Sequence, residues 1–399
     1  MSIQQPERQL HIDLMRGFAA QLVLIGHAYS LLISKHSAVI PVETNVGDSI
    51  SRLVWRFTGL FVGRGADAVI VFFVLSGLLV GASIVRQTNK NTFQFVDYFI
   101  KRTVRLQTVI LPGLIISGAL IWFCFQFGAG ASVIEQNVPW YPADWPIQES
   151  MSFSTLACNA IFLQTIFCSQ YAHNSSLWSL ANEFHYYIAF PLLLVALVQS
   201  HRTAMFRFLL LTGFCAILGL WLYPYFFEGQ FYRSFHFFTG ALIWSVGAFL
   251  PWVFAKFPNF FRSAVSHFVW FFVASLLLYL YSKSLGATRT IAVVGLTVWL
   301  LFYAQTLNKV LSFSNNVSSC VKLFSDFSFS LYVIHVPLLF AFLSFSPTLL
   351  QKQSTSLNGF WIFLIVLIAI NIFAYIFYFC FERNFPKILD RIQNLRLHT

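Results

Sequence analysis

Long apolar runs separated by short polar segments dominate the chain. A run of about 20 residues is long enough to cross a bilayer as a helix. Ten such runs occur, at 14–34, 67–86, 107–127, 180–199, 206–226, 234–255, 265–282, 289–307, 327–346 and 358–381. A further run at 153–167 contains polar residues and is barely long enough to cross. The pattern predicts an all-α fold, a polytopic membrane helical bundle of about ten transmembrane helices.

Basic residues indicate how such a bundle is oriented. The segment 86–105 contains five Lys or Arg residues, whereas 128–177 contains none. Because cytoplasmic loops carry the excess of Lys and Arg, we expect 86–105 inside, 128–177 outside and both termini cytoplasmic, with 153–167 not crossing. Sixteen basic residues then lie inside and eight outside. The net charge of +11 is therefore mostly an orientation signal, and nucleic-acid binding is not expected.

The ends of the chain and its outer loop carry three further expectations. The first apolar run is too long for the core of a cleavable signal peptide, so we expect the chain to be inserted whole. Residues 1–385 are predicted to form one membrane domain, and residues 386–399 a short basic cytoplasmic tail. The outer loop 128–152 is rich in Pro and aromatic residues and could form a lid over a site.

The six cysteines show no C-x-x-C motif and no spacing typical of metal ligands. We interpret them as small buried hydrophobic residues, and no metal is expected. A disulfide between Cys158 and Cys168 stays open as an alternative if that stretch is extracytoplasmic.

Arg16 and His27 are the most informative polar pair. Eleven residues amount to about three helical turns, so both side chains share one helix face, about 16 Å apart along the axis. Asp13 lies three residues before Arg16 and can pair with it. Singly, Arg16 could snorkel to the interface and His27 could bond a neighbouring helix. Ionisable groups in membrane spans usually mark a functional site, and the shared face favours that interpretation.

Arg102 and Arg105 lie three residues apart just before the third apolar run, at the predicted inner surface. They could form an ordinary basic turn, or a clamp for the phosphates of a cytosolic ligand. In the second run Gly77 and Gly81 give a small-residue face typical of helix packing.

Two later segments also hold candidate residues. Glu183 begins the fourth run, with Trp178 before it and Tyr187 after it, and an acid at a helix start could simply interact with the helix dipole. His335 lies within the ninth run and is followed by Pro337, which predicts a kink. Taken alone, His335 could be structural or functional.

Together these segments resemble the acyltransferase-3 family of integral membrane acyltransferases. The first span is similar to the family's D-x-x-R-G start followed by R-x10-H. The segments "FFVLSG" (72–77), "WSLANEFHYYIAFP" (178–191), "SFSLYVIHVP" (328–337) and "FERNF" (381–385) resemble its later motifs in order. One departure is "RTVRLQTVILP" (102–112), which lacks the Tyr-Pro that the family often has there.

The resemblance implies a membrane O-acyltransferase of the bacterial cytoplasmic membrane. It would move an acyl group, most often acetyl, from cytoplasmic acyl-CoA to a hydroxyl of a cell-surface or lipid-linked carbohydrate. By this resemblance His27 is the general base, with Arg16 and Glu183 as further catalytic residues. Acetyl-CoA would be the co-substrate, and the chain would be a stand-alone member without the SGNH-type esterase domain.

The resemblance also implies binding roles for other residues. Arg102 and Arg105, together with Arg16, would hold the CoA phosphates. Trp178, Tyr187 and His335 would contact the acceptor.

Two alternatives from other functional classes stay open at this point. One is a transporter or flippase that uses intramembrane Arg and His for substrate or proton coupling. The other is a non-catalytic membrane scaffold, which is disfavoured because it has no need of ionisable residues in its spans. Within the enzyme hypothesis, direct transfer and an acyl-histidine relay are both compatible with the sequence.

Overall fold

The structure is a computed structural model. It describes residues 10–32, 46–59, 61, 64–90, 92–128, 147–198, 204–228, 231–256, 265–281, 287–307, 315–345 and 357–397. The predicted lid at 128–152 falls mostly on residues 129–146, which lie outside the described residues.

The described residues form helices and turns, and no strand occurs among them. In chain order the α-helices are α1 (Leu10–Leu32), α2 (Val46–Gly59), α3 (Gly65–Asn89), α4 (Phe95–Phe127), α5 (Ile147–Ser150), α6 (Phe153–Ala160), α7 (Leu177–Val198), α8 (Ala204–Glu228), α9 (Phe231–Lys256), α10 (Val265–Tyr281), α11 (Ala287–Leu307), α12 (Asn315–Asp326), α13 (Ser328–Phe345), α14 (Leu357–Cys380) and α15 (Phe385–Leu397). Short 3-10 turns occur at Tyr171–His173 and Glu382–Asn384.

The predicted all-α fold is confirmed, because every predicted span coincides with a helix. Hydrocarbon offers no hydrogen-bond partners, so a spanning segment must satisfy its own backbone, as a helix does. Five helices within the described residues are long and apolar enough to cross, namely α3, α4, α9, α13 and α14. The apolar parts of α8 and α11 are shorter. The remaining predicted spans are helices α1, α7 and α10, and the total of ten crossings stays a prediction.

Helices α2 and α12 have no counterpart among the predicted spans. They contain 14 and 12 residues and carry polar side chains on one side of an apolar stripe. A search for long apolar runs passes over such helices, because they are amphipathic and too short to cross. Helix α6 has only eight residues, about 12 Å at 1.5 Å per residue. It is too short to cross, in agreement with the expectation that 153–167 does not span.

The chain divides into two compact units, each built from separate segments. The first unit comprises Met1–Gln21, Ala66–Phe93 and Phe238–Ser328. The second comprises Leu22–Gly65, Gln94–Phe237 and Phe329–Thr399. The predicted boundary at residue 385 stays a prediction. The tail beyond it forms α15, which packs on α4 within the second unit.

In the first unit, α3 and α9 approach each other closely through glycines. A Cβ atom added at Gly77 would collide with the backbone of Trp244, and one added at Gly81 would collide with the backbone of Ala248. The indole Nε1 of Trp244 donates a hydrogen bond to Ser76 Oγ at 3.1 Å. The small-residue face of α3 therefore serves helix packing, where small residues let two backbones come close in a membrane.

The first unit also contains a buried ion pair. Arg289 Nε donates to Asp67 Oδ1 at 2.9 Å and Arg289 Nη2 donates to Asp67 Oδ2 at 2.6 Å. Tyr279 adds a hydroxyl donor to Oδ2 at 3.0 Å. The bidentate pair and the Tyr279 hydroxyl link α3, α10 and α11. Arg289 is one of the eight basic residues expected outside, and it is held within the helices of the first unit.

In the second unit, a disulfide between Cys158 and Cys168 closes the segment between α6 and α7. The interpretation of the cysteines as buried hydrophobic residues is wrong for most of them. Only the thiol of Cys124 is buried, while Cys215, Cys320 and Cys380 are exposed on their helices. The sequence alone does not separate an exposed cysteine of an apolar run, such as Cys215 or Cys380, from a buried one such as Cys124, because all three lie in apolar runs.

Asn159 organises the disulfide-closed segment from its interior. Its amide Nδ2 donates to Thr155 O and Ser169 O, both at 2.8 Å, and its Oδ1 accepts from the backbone N–H of Tyr171 at 3.1 Å. His173 in the following 3-10 turn is buried, and burial lowers its pKa to about 4. The segment is therefore a small ordered element with a neutral histidine inside.

Replacing Gly77 or Gly81 with Ala should destabilise the protein, because the added methyl group forces α3 and α9 apart. We expect a loss of about 1–3 kcal/mol, measured as a lower unfolding midpoint of the purified protein in detergent. Gly219→Ala in α8 is the matched control, since no atom lies within 4 Å of its added Cβ. That variant should be neutral or more stable by up to about 1 kcal/mol. Equal midpoints for all three variants would contradict the close packing.

The disulfide predicts a specific count of reactive thiols. Denatured protein treated with N-ethylmaleimide without reductant should carry four adducts by mass spectrometry, and six after reduction. Cys158→Ser should give five adducts without reductant, because Cys168 becomes a thiol, and should lower the free energy of unfolding by about 2–3 kcal/mol. The control Cys320→Ser should give three adducts without reductant. Six adducts in the unreduced wild-type protein would rule the bridge out.

Candidate active site

Two histidines from distant parts of the sequence meet in the second unit. His27 lies in the second half of α1 and His335 lies in the middle of α13. The distance from His27 Nδ1 to His335 Nε2 is 2.8 Å, and the two rings lie nearly edge to edge, with 5.1 Å between centroids and 15° between planes. His335 is buried, whereas His27 is partly accessible. Of the two residues, His27 is therefore the more accessible.

The partners of His335 determine where the protons of the neutral pair lie. His335 Nδ1 is 3.0 Å from Leu331 O and 2.9 Å from Tyr332 O. Carbonyl oxygens only accept, so His335 Nδ1 carries the proton and its Nε2 is an acceptor. His27 Nδ1–H then donates to His335 Nε2. The neutral His27 consequently carries its lone pair on Nε2, which is the state that a general base requires.

Helix α13 is held in place around His335 by the segment that leads into α7. Pro337 has no N–H, so the carbonyl of Val333, four residues earlier, loses its usual intrahelical partner. Asn174 Nδ2 donates to that carbonyl at 2.7 Å, and Ser176 Oγ donates to Asn174 Oδ1 at 2.6 Å. The carbonyl that Pro337 leaves without an intrahelical donor thus accepts a hydrogen bond from a side chain outside the helix.

A second bond joins the same two parts of the chain. The hydroxyls of Tyr332 and Ser179 lie 2.6 Å apart, and both residues are buried. Tyr332 is also one of the two residues whose carbonyl accepts from His335. The first turn of α7 therefore braces the part of α13 that orients the imidazole.

Arg102 lies between two aromatic rings. Its guanidinium carbon is 5.6 Å from the ring centroid of Tyr98 and 5.5 Å from that of Tyr187, within the range of cation–π attraction. Tyr187 also donates its hydroxyl to Glu183 Oε1. Three residues predicted for different roles, in donor binding, acceptor binding and catalysis, thus form one cluster.

Arg105, three residues along α4, has a different environment. Its Nη2 lies 3.6 Å from Glu382 Oε1, and its guanidinium stacks over the Phe385 ring at 5.5 Å. The predicted phosphate clamp therefore consists of one arginine held by tyrosines and one held partly by a carboxylate.

Arg16 belongs to the first unit, where it forms a compact polar network with Asp13 and Ser325. Its Nη2 donates to Ser325 Oγ at 2.7 Å and to Ser325 O at 3.1 Å. Ser325 Oγ donates to Asp13 Oδ1 at 2.8 Å, and Arg16 Nη2 lies 3.6 Å from the same oxygen. The predicted pairing of Asp13 with Arg16 is present, and Ser325 is its third member.

Trp178 is partly exposed at the start of α7. The centroids of its ring and of the His236 ring are 6.1 Å apart, in an edge-to-face arrangement. No group of three or more His, Cys, Asp or Glu in the described ranges is arranged to hold a metal ion.

Comparison with known proteins assigns this arrangement to a family. The family model described as an acyltransferase domain, of the acyltransferase-3 type, matches residues 10–379. The chain belongs to the acyltransferase-3 family. This membership favours the enzyme over the transporter and the scaffold.

A relative of this acyltransferase is Nodulation protein 10 of Rhizobium leguminosarum bv. viciae, 26% identical over 186 residues. The match covers 46% of this chain and 44% of that relative, so the chain spans less than half the length of the relative. No solved structure matches.

Sequence reasoning singled out His27 and His335 in this acyltransferase but assigned them to separate roles and did not pair them. It also passed over Ser325 and Asn174. Ser325 gives no signal, because a serine in a short amphipathic helix is unremarkable. Asn174 could have been found by asking which polar residue satisfies the carbonyl that Pro337 leaves without a partner.

Proposed function

We propose that this acyltransferase moves an acetyl group from cytoplasmic acetyl-CoA to a hydroxyl of a cell-surface or lipid-linked carbohydrate at the bacterial cytoplasmic membrane. The observation that carries the proposal is the His27–His335 pair, in which a buried imidazole fixes the tautomer of an accessible one. Such an arrangement suits proton abstraction from a hydroxyl nucleophile.

In the proposed reaction His27 Nε2 takes the proton of the acceptor hydroxyl as its oxygen attacks the thioester carbonyl. A carbon–oxygen bond forms, the carbon–sulfur bond breaks, and the CoA thiolate leaves. His27 then returns the proton to the thiolate. His335 stabilises the transient imidazolium, because its Nε2 accepts the Nδ1–H bond that strengthens when His27 becomes charged.

Arg102 is proposed as the main contact for the CoA phosphates. The rings of Tyr98 and Tyr187 flank the guanidinium at 5.6 and 5.5 Å, and a guanidinium binds phosphate oxygens through its N–H groups in a fork. Arg105, which lies on the same helix, is proposed as a further contact, and the expected donor role of Arg16, which lies in the first unit, stays a prediction. Glu183 is proposed to act through Tyr187, whose hydroxyl it accepts, in keeping Arg102 in place.

The acceptor is proposed to enter from the opposite side. Disulfides persist in oxidising compartments outside the cytoplasm, and the Cys158–Cys168 bridge lies in the segment without Lys or Arg. This supports an extracytoplasmic position for the segment that leads to Trp178. Its partly exposed indole is a suitable stacking surface for a sugar ring. Of the other residues expected to contact the acceptor, His335 pairs with His27, whereas Tyr187 belongs to the Arg102 cluster.

His27→Ala should abolish transfer, with a loss of roughly 10²–10⁴-fold, the usual contribution of a general base. His335→Phe should reduce transfer strongly as well, because the tautomer of His27 is then unset, while leaving acetyl-CoA binding intact. The measurement is transfer of radiolabelled acetyl from acetyl-CoA into the glycan fraction of host membranes containing each variant.

His185→Phe is the matched control for the histidine variants. Its Nδ1 also bonds its own helix, at Ala181 O and 2.7 Å, but its ring packs edge-on against Trp221 rather than against a second histidine. It should retain transfer. Wild-type rates in His27→Ala would refute the proposed base, and mass spectrometry of surface glycans with and without the gene would test the acceptor class by an acetyl mass shift.

Arg102→Gln should weaken acetyl-CoA binding by about tenfold or more, because it removes a charge-assisted bond to phosphate. Isothermal titration of purified protein with acetyl-CoA measures this. The exposed Arg391 of α15 provides the control, since Arg391→Gln makes the same change in charge. An unchanged dissociation constant in Arg102→Gln would remove Arg102 from the donor site.

A further inference from the structure

Glu382 is a buried carboxylate that the proposed chemistry does not use. It lies in the 3-10 turn Glu382–Asn384 that follows α14, and its side chain is only 5% exposed. Removing a charge from water costs free energy, so a buried carboxylate needs specific partners. Its two oxygens contact two different functional parts of the second unit.

One oxygen holds the start of α13. Glu382 Oε2 accepts from the backbone N–H of Ser330 at 3.2 Å and from Ser330 Oγ at 2.7 Å. Ser330 is the third residue of the helix, and the first N–H groups of a helix have no partner within it. A carboxylate there also interacts favourably with the helix dipole. Glu382 is therefore a cap for α13, and it lies 52 residues after Ser330 in the sequence.

The other oxygen faces Arg105. Glu382 Oε1 lies 3.6 Å from Arg105 Nη2, and the neighbouring Phe385 ring lies under the same guanidinium. This pair gives the buried carboxylate a countercharge and gives Arg105 a fixed position near the first turns of α4. The same side chain is thus attached to the helix that carries His335 and to an arginine of the proposed donor clamp.

We infer that Glu382 is a positioning residue that sets both parts at once. Through Ser330 it fixes the first turn of α13, and hence the imidazole of His335 five residues later. Through Arg105 it fixes one side of the donor clamp. This inference rests on the proposed function, because it assumes that the His27–His335 pair and the arginines act in catalysis and donor binding.

Three variants separate the two attachments. Glu382→Gln keeps an oxygen for Ser330 but loses the charge for Arg105, so transfer should stay within about threefold of wild type while the dissociation constant of acetyl-CoA rises about threefold. Ser330→Ala should lower transfer without changing acetyl-CoA binding. Glu382→Ala loses both attachments and should lower transfer by about tenfold to 10²-fold, as small misplacements of catalytic groups do.

A spectroscopic measurement distinguishes positioning from a general loss of fold. In protein labelled with nitrogen-15 histidine, solid-state NMR reports which ring nitrogen carries the proton. Glu382→Ala should change the signals of the hydrogen-bonded histidine pair, whereas Glu382→Gln should keep them. Unfolding midpoints in detergent identify any variant that fails to fold, and Ser330→Ala together with Arg105→Gln then tests the two attachments separately.

Asp390→Asn is the matched control, because Asp390 is an exposed acid on α15 and its replacement makes the same change in charge. It should leave transfer, acetyl-CoA binding and the histidine signals unchanged. The inference is overturned if Glu382→Ala behaves like Asp390→Asn while His27→Ala is inactive. If His27→Ala is itself active, the proposed function fails instead.

Discussion

The part of the structure that carries the histidine pair depends on the hydrogen bond that satisfies one backbone carbonyl. Pro337 interrupts the hydrogen-bond ladder of α13 and leaves Val333 O without its intrahelical donor, a costly state for a buried carbonyl that water does not reach. Asn174 satisfies it at 2.7 Å. This bond ties the segment before α7 to α13 two residues before His335.

The consequences extend along both partners of that bond. Ser176 donates to the Asn174 side chain, and Ser179, three residues later, is hydrogen-bonded to Tyr332 of α13. The disulfide-closed segment leads directly into this stretch and holds its own backbone through Asn159. The order of the segment before α7 and the orientation of His335 are therefore parts of the same hydrogen-bonded structure.

The sequence predicted the features that depend on local periodicity. Helical spacing predicted that Asp13 and Arg16 pair. The apolar runs predicted the positions of ten helices. The histidine pair could not be predicted in this way, because its members lie 308 residues apart and only packing brings them together. The amphipathic helices α2 and α12 escaped for a different reason, since their sequences are too polar and too short to register as spans.

The cysteines show where composition misleads. A residue type that is usually buried in soluble proteins can face lipid at little cost, and Cys215 and Cys380 are exposed within apolar helices. Cys320 is exposed on the amphipathic helix α12. For Cys158 and Cys168 the deciding factor is the compartment, because the same spacing in a reducing environment would leave two thiols.

The choice of a histidine as the partner of the proposed base has a physical reason. In soluble hydrolases a carboxylate often orients the catalytic imidazole and supports its charged form. A buried carboxylate at the position of His335 would place a net charge in the helix bundle in the resting state, which is expensive in a membrane. A neutral imidazole gives His27 Nδ1–H the same acceptor without that charge. The backbone carbonyls of Leu331 and Tyr332 hold the proton of His335 on Nδ1, so the pair needs no further ionised group to fix its tautomers.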